Sequence, residues 1–205
     1  MRTVLIILSS IFTIAATVPY MVEIARGKAK PRVASWFTWT AIQAIGAAAA
    51  FSDHQIPAAV YTLFCSLECG AIVVLGLKRG DHTFEKLDIF CLAGAVAGLL
   101  TLALLKSPAL AVLVSVATDF LGAVPTVKHS WLRPREETWS TYALFGVGSA
   151  ITLLIANFHI LTAIAYPLYL LLFDTLVTVL ILTSPHRKLV GWPKTGAKTP
   201  TIERM

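Results

Sequence analysis

Charge is scarce in this sequence. Only 14% of its 205 residues are charged and eleven are acidic, against about 25% charged in a soluble domain. That scarcity excludes a disordered, solvated chain. Cysteine is limited to Cys65, Cys69 and Cys91, all inside apolar runs. No disulfide framework is indicated, and the three read as small apolar side chains. None of the five histidines lies inside an apolar run. No HExxH pair, phosphate-binding glycine loop or Ser-His-Asp set is present, so neither an enzyme nor a bound cofactor is expected. The seventh apolar run has no lysine for a retinal Schiff base.

What is abundant is apolar sequence. Hydrophobic residues make up 57%, and the mean hydropathy is +0.75. Seven runs stand out: Val4 to Ile24, Ala34 to Phe51, Ile56 to Leu77, Ile89 to Leu105, Ala109 to Val127, Trp139 to Phe158 and Ile160 to Leu182. Each is about long enough to cross the ~30 Å hydrocarbon core as a helix. Helices are required there, because lipid offers no partner to an open backbone. The first run, opened by Met1-Arg2, has the look of a signal peptide. It continues past its small residues, though, and carries a proline that recurs later, so it reads as a retained span.

The basic residues alternate. Arg26, Lys28, Lys30 and Arg32 follow the first run, Lys78, Arg79 and Lys86 the third, and Lys128, Arg133 and Arg135 the fifth. Arg187, Lys188, Lys194, Lys198 and Arg204 lie in the tail, and only Arg2 and Lys106 fall on the other side. The net charge of +6 therefore reads as an orientation signal rather than a nucleic-acid surface. It places the N-terminus outside and the C-terminus in the cytoplasm, in a multi-pass protein of the plasma (inner) membrane.

A repeat organises the chain. Pro19 to Trp39 reads PYMVEIARGKAKPRVASWFTW, and Pro125 to Tyr142 reads PTVKHSWLRPREETWSTY. Pro19 pairs with Pro125, Pro31 with Pro134, Ser35 with Thr138, Trp36 with Trp139 and Trp39 with Tyr142. The spans divide as three, one and three, and an odd linker keeps both triplets in one orientation. The expected fold is an all-α membrane protein of seven transmembrane helices, arranged as two parallel three-helix bundles joined by a linker helix. The segments are 1–80 and 107–184 for the bundles, 81–106 for the linker and 185–205 for a cytoplasmic tail. Gly94 and Gly98 give the linker a close-packing face, suited to docking on one triplet.

These residues resemble the PQ-loop and SWEET superfamily of small transporters. The family places a proline near the cytoplasmic end of each triplet's first helix, then a basic loop and a serine opening the second. Here Pro19 and Pro125, then Ser35 and Thr138, hold those positions, and Tyr20 and Thr126 stand where the family has glutamine. The Trp36-x-x-Trp39 pair is also similar to the nicotinamide riboside transporters, which share the layout. The resemblance implies alternating-access transport of a small polar solute of the sugar, amino-acid or vitamin/nucleoside class. A non-transporting receptor or scaffold on the same fold is the alternative, as in a retention-signal receptor of similar architecture.

The candidate site follows from polar and aromatic residues in apolar runs. Pro19 and Pro125 interrupt helical hydrogen bonding and serve as hinges or fixed kinks. Glu68, Asp119 and Asp174 are carboxylates at mid-span, where an ionisable group faces a cavity or a partner. Glu68 and Asp174 read as equivalents on the third helix of each triplet. Any of the three could couple protons to transport, Asp119 foremost because it shares a helix with Pro125; otherwise they hold helices together. Trp36, Trp39, Trp139 and Tyr142 are either an interfacial belt or a stacking surface for substrate. Gln43 and Asn157 read as buried amides that orient a solute or join helices. Cys65, Glu68 and Cys69 share a face that a soft metal could use, but too few ligands accompany them, so no metal site is expected and metal-ion transport ranks below the other readings. The expected partners are a small-molecule substrate, the lipid bilayer and protons, with no nucleic acid; self-association is left open.

Topology gives the first prediction. In a cysteine-free background, His54→Cys should be labelled by an impermeant thiol reagent in intact cells and Lys30→Cys should not. The reverse pattern overturns the orientation.

Overall fold

A computed structural model describes residues 2–27, 31, 33–80, 82, 86–132, 134 and 137–185, with the side chains of Leu87, Pro125, Lys128 and His129 outside the description. Several sequence expectations therefore fall outside the described residues: the side chain of Pro125 as a hinge, the basic loop residues Lys28, Lys30, Arg32, Arg133 and Arg135, and the tail beyond 185.

Every element among the described residues is helical: α1 (Arg2–Ala25), α2 (Val33–Ser52), α3 (Ile56–Arg79), α4 (Lys86–Leu105), α5 (Pro108–Leu132), α6 (Trp139–Leu154) and α7 (Leu161–Thr183). Four helices are long and apolar enough to cross a membrane, namely α1, α3, α7 and the part of α4 from Asp88. α6 is 16 residues long, about 24 Å at 1.5 Å per residue. It ends four residues before the expected boundary. The amide of Ile155 bonds back to Thr152, and the Asn157 side chain accepts the His159 amide at 3.1 Å, which turns the chain before α7. α2 is rich in Ala, Gly and Thr rather than Leu and Val. It touches α3, α4, α5 and α7, so close approach, not contact with lipid, selects its residues.

The helices are amphipathic in the inverted sense. α1 buries Ser9, Ser10, Thr13 and Thr17 while Val4, Ile7, Ile11, Ile14, Val18 and Val22 stand exposed at helical spacing. Many buried hydroxyls donate to carbonyls a turn back, among them Thr13 to Ser10, Thr38 to Ala34, Thr118 to Val114 and Thr152 to Gly148. Each donor is thereby satisfied inside its own helix. Large apolar side chains outward and small hydroxyls inward is the arrangement a hydrocarbon surrounding favours, where outward polar groups are penalised.

Burial repeats along the chain. Adding 103 to the buried Thr38, Gln43, Ile45, Gly46, Ala49 and Ala50 of α2 gives every buried residue of α6. Adding 105 to Pro57, Ala58, Tyr61, Thr62, Cys65, Cys69, Ile72 and Gly76 of α3 gives every buried residue of α7. Ser9, Thr13 and Thr17 of α1 stand 106 before the buried Ser115, Asp119 and Ala123 of α5. This register corrects one expectation. Asp174 is matched by Cys69, not by Glu68, whose counterpart is Phe173. One residue is about 100° around a helix, so Glu68 and Asp174 face different directions.

The main helix contacts obey the same exchange. α1·α3, α2·α3, α1·α6 and α3·α6 become α5·α7, α6·α7, α5·α2 and α7·α2, all of which are present. α4 stands outside the exchange and packs on α5 and α2, so it touches one helix from each triplet rather than docking on one alone. The Gly94–Gly98 face makes this possible: a β-carbon at Gly94 would collide with Thr118, and one at Gly98 would sit 3.3 Å from the Ser115 hydroxyl.

Two equivalent tyrosines cross the middle. Tyr61 of α3 reaches α6, where its hydroxyl lies 2.6 Å from the Ser149 hydroxyl and 3.1 Å from the Phe145 carbonyl. Tyr166 of α7 crosses α2 at Gly46, where a β-carbon would approach its ring to 2.7 Å. Both rings belong to the central cluster with Ala49, Cys65, Ala111, Val112 and Leu170. Gly46→Ala should therefore destabilise the protein by about 1–3 kcal/mol through overpacking, read as a lowered unfolding midpoint in detergent. Combined with Tyr166→Leu, the cost should be clearly less than additive. Strict additivity would mean that ring and glycine do not meet.

Candidate functional site

Next to the central tyrosines the helices part around a cavity of about 310 Å³. It runs from Asp119 and Asp174 toward Ser35, Glu137 and Thr138, at the starts of α2 and α6. Much of its lining comes as matched pairs from the two repeats: Tyr20 with Thr126, Ser35 with Thr138, Trp39 with Tyr142, Cys65 with Leu170, and Cys69 with Asp174. The cavity thus lies on the line about which the burial pattern repeats.

The two walls differ in chemistry. α1 and α2 supply an aromatic wall. Tyr20 and Trp36 have ring centroids 5.5 Å apart, and Trp36 meets Trp39 edge to face at 5.0 Å. The spacing of three residues puts both indoles on one face of α2. α5, the segment leading into α6, and α7 supply the carboxylates Asp119, Glu137 and Asp174, with the rings of Tyr142, Phe145 and Phe173. The Tyr166 and Tyr169 hydroxyls donate to the two oxygens of Asp119 at 3.1 and 3.2 Å. Glu137 accepts from the Tyr142 hydroxyl at 3.0 Å. Asp174 is 4% exposed, and its Oδ2 has no partner among the described residues; nor does the buried Thr141 hydroxyl. Asp174 lies against α6 where Gly146 leaves room, with a β-carbon there 3.6 Å from its own.

Of the residues expected to bind substrate, Trp36, Trp39, Gln43, Asp119, Tyr142 and Asp174 line this cavity, and Glu68, Trp139 and Asn157 do not. Glu68 turns to α1 and accepts from the Thr17 hydroxyl at 2.7 Å. Trp139 is 45% exposed at the start of α6, consistent with the belt reading. Asn157 is not a buried amide; it is exposed in the turn after α6. Pro19 sits within α1 and is exposed. The face shared by Cys65 and Cys69 does open on the cavity, without Glu68; no cluster of three metal-ligating side chains occurs among the described residues. Tyr20, Thr126, Ser35, Thr138, Glu137, Thr141, Phe145 and Phe173 also line the cavity, beyond the residues expected to bind substrate. The first four had a signal, since they occupy the repeated positions after each proline and at each helix opening.

Compared with known proteins, the chain matches no family model, no curated protein and no solved structure.

Proposed function

We propose that this protein is a seven-span transporter in which two parallel three-helix bundles, α1–α3 and α5–α7, move a small polar solute by alternating access. The observation that carries the reading is the cavity between the repeats, lined in matched pairs from both. The exchange of contacts and the repeat of burial support it. So does the filling of the interface on one side of the cavity by Tyr61, Tyr166, Ala49, Ala111 and Val112. Beyond that plug, Asp53 accepts a hydrogen bond from Thr162, tying the end of α2 to the start of α7. In this reading the tie and the tyrosine plug form the outer gate, and the Ser35–Glu137 end is the cytoplasmic mouth, as the basic loops imply. At that mouth the Thr138 hydroxyl donates to Glu23 at 3.3 Å, joining α1 to the opening of α6.

The carboxylates take separate roles in this proposal. Asp119 is held by two tyrosine donors and braces α5 against α7. Asp174, with an unpartnered oxygen, is the better placed of the two to exchange a proton or a ligand donor. About 310 Å³ is at the small end of ligand pockets, which suits a single-ring metabolite.

The experiment is a thermal-shift screen of the purified protein against solute classes, followed by counterflow of the stabilising solute into proteoliposomes. Saturable counterflow is expected for wild type. It should be lost in Thr126→Trp, which replaces a partly exposed lining residue by an indole, with the variant's cooperative unfolding transition showing that it is folded. Binding without counterflow would instead make the protein a receptor.

A further inference from the structure

We propose that the cavity selects a small organic cation carrying an ammonium group, seated between the indoles of α2 and the carboxylates of α5 and α7. This names the substrate class of the cavity described above and rests on its reading as a substrate site.

Charge is the first argument. Asp119, Glu137 and Asp174 all line the cavity, and no lysine, arginine or histidine does so among the described residues. Asp119 and Asp174 stand on adjacent helices, α5 and α7, and line the same cavity. Carboxylates lining a cavity repel an anion when ionised, and an uncharged sugar does nothing to offset their burial. A cation beside them favours the ionised form and pairs with it.

Hydrogen bonding is the second argument, and it is independent of charge. The oxygens of Asp119 are occupied by tyrosine donors, whereas Asp174, which lines the cavity, has a buried Oδ2 with no partner among the described residues. A buried acceptor left unmade is costly. A ligand N–H, or the polarised methyl groups of a quaternary ammonium, would satisfy it.

The opposite wall makes the third. Tyr20, Trp36 and Trp39 present clustered rings, and aromatic faces attract ammonium ions, more strongly when water is excluded. A bare metal ion is disfavoured, because no group of three metal-ligating side chains occurs among the described residues. The cavity thus combines carboxylates, all from the second half, with rings that include the two indoles of α2.

The test uses the full-length protein in nanodiscs and isothermal titration calorimetry referenced to empty nanodiscs. The probes are meta-hydroxyphenyltrimethylammonium and its neutral isostere meta-tert-butylphenol. The cation should bind with saturation and the isostere should not. Asp174→Asn should weaken the cation by about thirtyfold or more, the scale for losing one partner of a buried charge pair. Trp39→Leu should weaken it about 3- to 30-fold, and it serves as the second variant should Asp174→Asn fail to fold. Equal binding of the isostere, unchanged cation affinity in the folded variants, or no cation binding at millimolar concentration would overturn the proposal. Selective binding in a protein that gives no counterflow would uphold the cation site and remove only the transport reading.

Discussion

The arrangement depends on one constraint: polar groups among the helices must find partners within the protein, because hydrocarbon supplies none. Threonine and serine meet it by bonding to their own helix. That leaves small surfaces which let helices approach closely, as α4 does on Thr118, whose hydroxyl bonds to Val114. The tyrosines meet it by reaching across. Tyr61 ties α3 to α6, and Tyr166 ties α7 to α5 while its ring fills the space above Gly46. Of the buried polar atoms without a partner among the described residues, those of Asp174 and Thr141 belong to residues that line the cavity, whereas Glu68, Ser115, Ser130 and Thr178 lie elsewhere.

The same constraint explains how the two halves can differ while repeating. The burial register is shared, but the occupants at matched positions are not. Thr13 answers to Asp119, Cys69 to Asp174, and Gly46 to Ser149. A shared frame with unequal side chains yields a cavity whose carboxylates all come from the second half, while both halves supply rings. A symmetric pair of halves would present the same chemistry twice and could not set a charge against a ring.

Much of this was legible in the sequence. The apolar runs located the helices, and the prolines, basic loops and aromatic openings located the repeat. Trp36, Trp39 and Tyr142 were visible because they stand at repeated positions. The register of the third helices was not legible, because α3 and α7 are apolar on every side and one carboxylate looks as good a match as its neighbour. Only the buried face distinguishes Glu68 from Cys69 as the partner of Asp174. Asn157 was misread for a related reason: the apolar run continues to Phe158, while the turn that ends α6 is made by backbone bonds and the Asn157 side chain. Phe145 and Phe173 carried no signal, since a phenylalanine in an apolar run reads as lipid-facing until the helix is oriented.

The central claim is that two halves rock about a shared cavity. Distances between spin labels, measured by pulsed electron paramagnetic resonance in nanodiscs, test it most directly. One pair would stand at His54 and His159 beyond the tyrosine plug, the other at Arg26 and Trp139 near the cavity mouth. The account predicts two populations that change reciprocally when a stabilising ligand is added, with the mouth pair closing as the far pair opens. A single distance distribution at both ends, unmoved by ligand, would contradict it.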